Sequence, residues 1–179
     1  IGILKELKIS NSDIKEKIDA LKAIEMRLES IEGIRNNLII NDSYNLDLDS
    51  LKIAFQFIGE YNKPKKSLIL TDILDSNENS QELYSEVAEL VNEQKFDKVF
   101  LIGEEISNYH ELFIPETYTF NNTIQFIDSK VINEIENHVI LLKGARKFEI
   151  EKIKEILDLR KHDTDLEINL NAILHNINF

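Results

Sequence analysis

The chain has 179 residues, 42% of them hydrophobic, with a formal net charge of −12 and no cysteine. That length holds one core of ordinary domain size with residues to spare at the ends. The charge repels a phosphate backbone and argues against nucleic acid, the missing thiols exclude disulfides and thiolate metal sites and suit a reducing cytoplasm, and no apolar run approaches the roughly twenty residues of a membrane helix.

Residues 1–8 read as the end of an uncapped helix, so the chain is expected to begin inside an element of something longer; Lys5, Glu6 and Lys8 break its apolar stretch, and no secretory signal is read. Asn11 or Ser12 can cap a helix to about Lys22, with Ile14, Ile18 and Leu21 on one face. Residues 25–32 and 37–42 read as strands around a hairpin-like turn at 33–36. Helices follow at about 48–61 and 80–94, separated by a strand at 67–71, with a further strand at 98–102 ended by Gly103. A short helix near 107–113, a strand at 117–120, a helix near 122–136, a strand at 138–142 and a helix at 146–157 complete the pattern. Residues 158–164 are polar and read as a linker before an apolar tail.

Short apolar strands alternating with amphipathic helices indicate an α/β fold: a doubly wound, mostly parallel sheet with helices on both faces, preceded by a hairpin-like strand pair. Ligands bind such sheets outside the carboxyl ends of the strands. Asp42, Asp72, Gly103 and Lys143 all fall at those ends.

Three constellations stand out. Arg27 and Asp42 lie fifteen positions apart across the hairpin. A carboxylate there can accept from ribose hydroxyls and a guanidinium can meet phosphate oxygens, but a surface Arg and a turn-forming Asp give the same pattern. Lys143-Gly144-Ala145-Arg146-Lys147 puts three cations at the opening of a helix, against its dipole, which reads either as an anion site or as a solvated basic turn. Asp72, with Asp75 and Glu78, reads either as an ammonium site or as acids complementing the next helix. His110, His138, His162 and His175 show no ligand spacing, so no metal site is expected, and no residue is assigned as catalytic. The five glycines never approach the spacing of a phosphate-binding loop.

The run Met26-Arg27-Leu28-Glu29 followed by Asp42-Ser43-Tyr44-Asn45 resembles the C-terminal domain of the Mur ligases, ATP-dependent enzymes that add amino acids to peptidoglycan precursors, and within them the D-alanyl-D-alanine-adding branch. Lys143-Gly144-Ala145-Arg146 matches that branch's Lys-Gly-Ser/Ala-Arg, and Asp72, Leu74 and Asp75 loosely match Gly-Asp-Met-Leu-Glu; Asp47-Leu48 stands where the family has Asn-Pro. The resemblance implies a Rossmann-like domain at 23–158 that follows a central ligase domain ending within 1–22. Arg27, Asp42, Tyr44 and Asn45 would lie at the nucleotide, and Lys143, Arg146 and Asp72 at the substrate. It further implies ATP and magnesium, bound mostly by the central domain, with UDP-N-acetylmuramoyl-tripeptide and D-alanyl-D-alanine as the molecules joined. The tail at 165–179, with Glu167-Ile168-Asn169-Leu170 and Ala172-Ile173-Leu174-His175-Asn176, resembles the opening of alanine racemase. That implies a fused, dimer-forming domain using pyridoxal phosphate, joined through a linker at 159–164. The rival expectation is a free-standing acidic binding or regulatory module, since such sheets host many functions.

Overall fold

The computed structural model describes residues 27–61, 63–74 and 79–159. The helices expected within 1–22, the acids Asp75 and Glu78, the linker from 160 and the tail at 165–179 lie outside the described residues.

A six-stranded sheet runs in the order β1-β2-β6-β3-β4-β5. Its strands are β1 (Glu29–Gly33), β2 (Asn37–Asp42), β3 (Lys65–Thr71), β4 (Lys98–Ile102), β5 (Glu116–Phe120) and β6 (His138–Lys143). β1 pairs antiparallel with β2, through the hairpin read from the sequence, and every other pairing is parallel. The central residues of β2, β6 and β3 (Leu38 to Ile40, Val139 to Leu142 and Leu68 to Leu70) are apolar because both faces of the sheet are covered there. On one face α1 (Leu48–Gly59) and α2 (Ser80–Glu93) bury Leu51, Phe55, Leu83 and Val87 against Ile40, Leu68, Leu70 and Leu141. On the other, α4 (Thr123–Asp128) and α5 (Glu151–Leu157) bury Phe126, Ile153 and Leu157 against Ile39, Ile69, Phe100 and Ile140. α3 (Glu104–Ser107) is a single turn after β4.

The chain leaves β3 toward α2 on one face and leaves the adjacent β6 toward α5 on the other. Divergence of neighbouring connections opens a crevice at the carboxyl ends of the strands. Its walls are closely fitted there: a Cβ on Gly144 would lie 2.5 Å from Thr71 Cγ2, and the Ala145 amide donates to Thr71 Oγ1 at 3.0 Å.

Several boundaries differ from the sequence expectation. β1 begins at Glu29, so Arg27 precedes the strand, in a bend where Leu28 takes φ 47°. The helix expected near 107–113 is α3 followed by a 3-10 turn at His110–Leu112. The helix expected near 122–136 stops at Asp128, because Lys130 adopts a left-handed conformation (φ 59°), and resumes as a 3-10 turn at Val131–Glu134. The last helix is divided in the same way: a 3-10 turn at Arg146–Phe148, left-handed Glu149 (φ 48°), then α5. A left-handed residue turns the chain off the helical path, and two apolar segments with helical spacing then lie in separate short elements. After α5, Asp158 forms a bridge to Gly33, and the Ile34 amide donates to the Leu157 carbonyl at 2.8 Å.

Candidate functional site

Two features occupy the carboxyl edge of the sheet. The first lies over β2 and β6, whose register brings Asp42 opposite Lys143. The Lys143 ammonium is 2.7 Å from Asp42 Oδ2 and donates to the Asn45 carbonyl at 2.6 Å. Lys143 is 1% exposed and Asp42 8%. Asp42 is therefore not the exposed strand-end carboxylate that its position after an apolar strand implies; it is half of a buried ion pair.

The segment from Asp42 continues through buried Ser43 to Tyr44, which is 45% exposed, and to exposed Asn45. The Arg27 guanidinium lies over the Tyr44 ring, 5.1 Å from its centroid. This stacking orients a cation that the preceding bend would otherwise leave free. Two residues on, Glu29 is held by Lys154 of α5 at 2.9 Å. Arg27, Asp42, Tyr44, Asn45 and Lys143 thus gather at one corner of the edge. Lys143, expected with Arg146 at the substrate, lies beside Asp42 and Asn45, because the β6 register places it opposite the end of β2.

Asp47, where the related motif has Asn, caps α1. Its Oδ1 accepts the Ser50 amide at 2.7 Å and the Ser50 hydroxyl accepts the Asp47 amide, a capping box. The bond from the Ser50 amide, with help from the Lys143 charge, holds the Asp47 carboxyl below its ordinary range. Asn45 Nδ2 donates to Asp47 Oδ2 at 2.8 Å, so the loop is tied to the helix start. The Asp47-Leu48-Asp49-Ser50 spacing carried this signal in the sequence.

The second feature is a cavity of about 470 Å3 over the ends of β3, β4 and β5. Asp72 and Glu104 line it after β3 and β4, Asn121, Asn122 and Ile124 after β5, and Lys147, Phe148 and Lys152 from the segment after β6. Asp72 Oδ1 accepts the Ile106 amide at 2.8 Å, which fixes the carboxylate at the start of α3. Burial pushes its pKa up, against the pull of the Ile106 and Glu105 amides. The neighbouring Ile73 amide donates to the Tyr84 hydroxyl at 3.3 Å, and the Tyr84 ring stacks on Tyr109, so the loop after β3 is held from below. Arg146 is exposed and does not line this cavity; Lys147, one residue on, does, beside the Lys152–Glu149 ion pair. Of the cations in the 3-10 turn, it is Lys147 rather than Arg146 that borders the cavity. A lining that carries both carboxylates and ammonium groups, with Phe148 and 63%-exposed Ile124 as apolar surface, suits a small zwitterion with apolar substituents.

Among the described residues no group of three or more His, Asp or Glu is arranged to hold a metal ion. None of the described helices is long and apolar enough to cross a membrane.

The model of the family described as "Mur ligase, glutamate ligase domain" matches residues 26–146. A UDP-N-acetylmuramoyl-tripeptide–D-alanyl-D-alanine ligase of Buchnera aphidicola is 30% identical over 159 residues, 84% of this chain and 33% of that protein. The enzyme of the same description from Bacillus subtilis is 27% identical over 159 residues, 84% of this chain and 34% of that protein. Among solved structures, MurF from Acinetobacter baumannii has a TM-score of 0.69 at 21% identity, covering 86% of this chain and 34% of that one. MurF ligase from Thermotoga maritima in complex with ADP has a TM-score of 0.66 at 19% identity, covering 86% and 35%. The chain spans about a third of the length of these relatives.

Proposed function

The chain belongs to the Mur ligase family, as its C-terminal glutamate ligase domain, and from that premise we propose that it serves a MurF-like ligase that joins D-alanyl-D-alanine to UDP-N-acetylmuramoyl-tripeptide in peptidoglycan synthesis, in the cytoplasm. The observation that carries this reading is the division of one sheet edge into two sites of different chemistry: Arg27 on Tyr44 beside Asp42 at one corner, and the mixed-charge cavity of Asp72 and Lys147 at the other.

At the first corner Arg27 meets phosphate oxygens of ATP while Tyr44, Asn45 and the oxygen of Asp42 not taken by Lys143 face the nucleoside. Magnesium neutralises the triphosphate in such reactions, and the described residues offer no ligand cluster for it. At the second, Asp72 and Glu104 attract the dipeptide ammonium, Lys147 and Lys152 its carboxylate, and Ile124 and Phe148 its methyl groups. Asp72 keeps the role of anion at the substrate, Lys147 takes that of cation, and Arg146 flanks the turn. The amine nitrogen attacks the carbonyl carbon of a tripeptide acyl phosphate. The acyl phosphate carries the γ-phosphate of ATP; the dipeptide ammonium first loses a proton to give the free amine, the new C–N bond then replaces the C–O bond as inorganic phosphate leaves, and the nitrogen releases a second proton to become the amide. Closing this edge over the rest of the ligase keeps water from the acyl phosphate.

We further infer that residues 165–179 open an alanine racemase domain, supported by the Glu167-Ile168-Asn169-Leu170 run and the chemistry of a racemase that supplies D-alanine. Pyridoxal phosphate is assigned to no residue of this chain.

The test is mass spectrometry of the product formed by the complete ligase. Wild type forms the pentapeptide nucleotide only with ATP, and Arg27→Ala raises KM for ATP by about tenfold, the worth of one charged hydrogen bond. Formation of that product without ATP, or an unchanged KM in the variant, goes against the assignment.

A further inference from the structure

We propose that Lys143 is a positioning residue for the nucleotide corner: from the end of β6 its ammonium fixes the Asp42 carboxylate and the backbone of the loop that presents Tyr44 to Arg27, and it touches no ligand itself. The inference rests on reading that corner as the nucleotide site.

Burial comes first. At 1% exposure the ammonium cannot reach a dipeptide or a phosphate in the crevice, and two of its three donors are already used, by Asp42 Oδ2 at 2.7 Å and the Asn45 carbonyl at 2.6 Å. An ammonium kept this dry is retained only where its partners compensate it. The second point is where those partners lie. Asp42 ends β2, Asp47 caps α1, and the residues between them belong to neither element. The loop is held at its ends by the ladder and the capping box, at Leu46 by burial, and at Asn45 by Lys143. Tyr44 and Asn45 are the residues this arrangement leaves facing outward, and Tyr44 is the platform of Arg27. Take away the ammonium and the Asp42 carboxylate loses its fixed orientation, the Asn45 carbonyl loses its donor, and the Tyr44–Arg27 stack loses its support.

The third point is connectivity. β6 continues from Lys143 into Gly144 and Ala145, which pack on Thr71, and then into Lys147 in the second cavity. A substrate role for Lys143 would move the dipeptide parameters; a positioning role at Asp42 moves those of ATP.

The experiment is a double-mutant cycle in the complete ligase, with Lys143→Met, Asp42→Asn, both together, and Lys143→Arg, read as separate KM values for ATP and dipeptide with thermal melts alongside. Lys143→Met is expected to raise KM for ATP by about tenfold or more while KM for the dipeptide stays within about twofold. Because Lys143 acts through Asp42, the double variant is expected to lose no more ATP affinity than the worse single variant. Lys143→Arg, which keeps the charge, recovers part of the loss. Should Lys143→Met fail to fold, the double variant carries the test, since it leaves no buried charge unpaired. A folded Lys143 variant with wild-type KM for ATP overturns the proposal, as does a rise confined to the dipeptide, or losses that simply add. A wild-type enzyme with no ATP-dependent ligation defeats the functional reading instead.

Discussion

Gly103 and Asp72 occupy each other's space: at φ 146° a Cβ on residue 103 would lie 2.2 Å from the Asp72 carboxyl carbon. Gly103 ends β4 and opens α3, whose Ile106 amide is the donor that orients Asp72. Gly103→Ala therefore meets both a disfavoured backbone conformation and a displaced carboxylate. It is expected to cost about 3 kcal/mol, seen as a lower urea midpoint at unchanged slope. A loss below about 1 kcal/mol would mean the backbone relaxes and the contact is not constraining.

Asp42→Ala leaves the Lys143 ammonium buried without its carboxylate. Breaking a buried pair from one side costs about 3–5 kcal/mol, far more than loss of a surface turn residue. Calorimetry should show a large drop in melting temperature, and Asp42→Ala/Lys143→Met should regain much of it. If the single variant melts like wild type, the pair is not a structural element of the edge.

His138 gives the stability a pH dependence. It is buried at the amino end of β6, with Nδ1 2.6 Å from Ser67 Oγ, and faces Asp97, Lys65 and Lys98. Burial lowers its pKa below the ordinary 6.5. The unfolded chain then binds the proton more readily, so this contribution is complete above 6.5 and is lost as pH falls through the lower folded-state value. Asp72 acts with the opposite sign. Its raised pKa gives a contribution that is complete below 3.8 and lost as pH rises through the folded-state value. Urea midpoints taken from about pH 7.5 down to about 5.5 should fall in wild type and flatten in His138→Asn. An equal slope in both proteins would place the titrating group elsewhere.

Lys147 lines the cavity that Arg146 does not reach. In the complete ligase, D-alanyl-D-alaninamide, which lacks the carboxylate, should have a KM about tenfold above that of the dipeptide. Lys147→Ala should erase that difference, while KM for ATP remains unchanged. Were the preference intact in the variant, the carboxylate would be bound by another residue.

What the sequence could disclose follows from the range of each interaction. The strands β2, β3, β4 and β6 were legible because burial on both faces leaves continuous apolar runs, and the hairpin because Gly33 to Asn36 interrupts two of them. The division of residues 122–136 was not, since apolar spacing persists through Asp128 and Val131 while a single left-handed Lys130 redirects the chain. At the site, the convergence of Asp42, Asp72, Gly103 and Lys143 on one edge could be read from strand ends alone. The pairing of Lys143 with Asp42 could not, because it depends on β6 being inserted between β2 and β3, a contact between residues about a hundred positions apart in a parallel sheet. Lys147, too, was hidden within a basic run whose helical register the 3-10 turn changes.

The amine that the complete enzyme accepts is the most direct test of the proposed function. Phosphate release from ATP should be followed with UDP-N-acetylmuramoyl-tripeptide and, in parallel, D-alanyl-D-alanine, D-alanine or D-glutamate. Release is expected to require both the tripeptide nucleotide and the dipeptide, to fall to background with either single amino acid, and to be weakened through the dipeptide KM by Asp72→Asn. Release that proceeds equally with D-glutamate, or without any amine, would contradict that function.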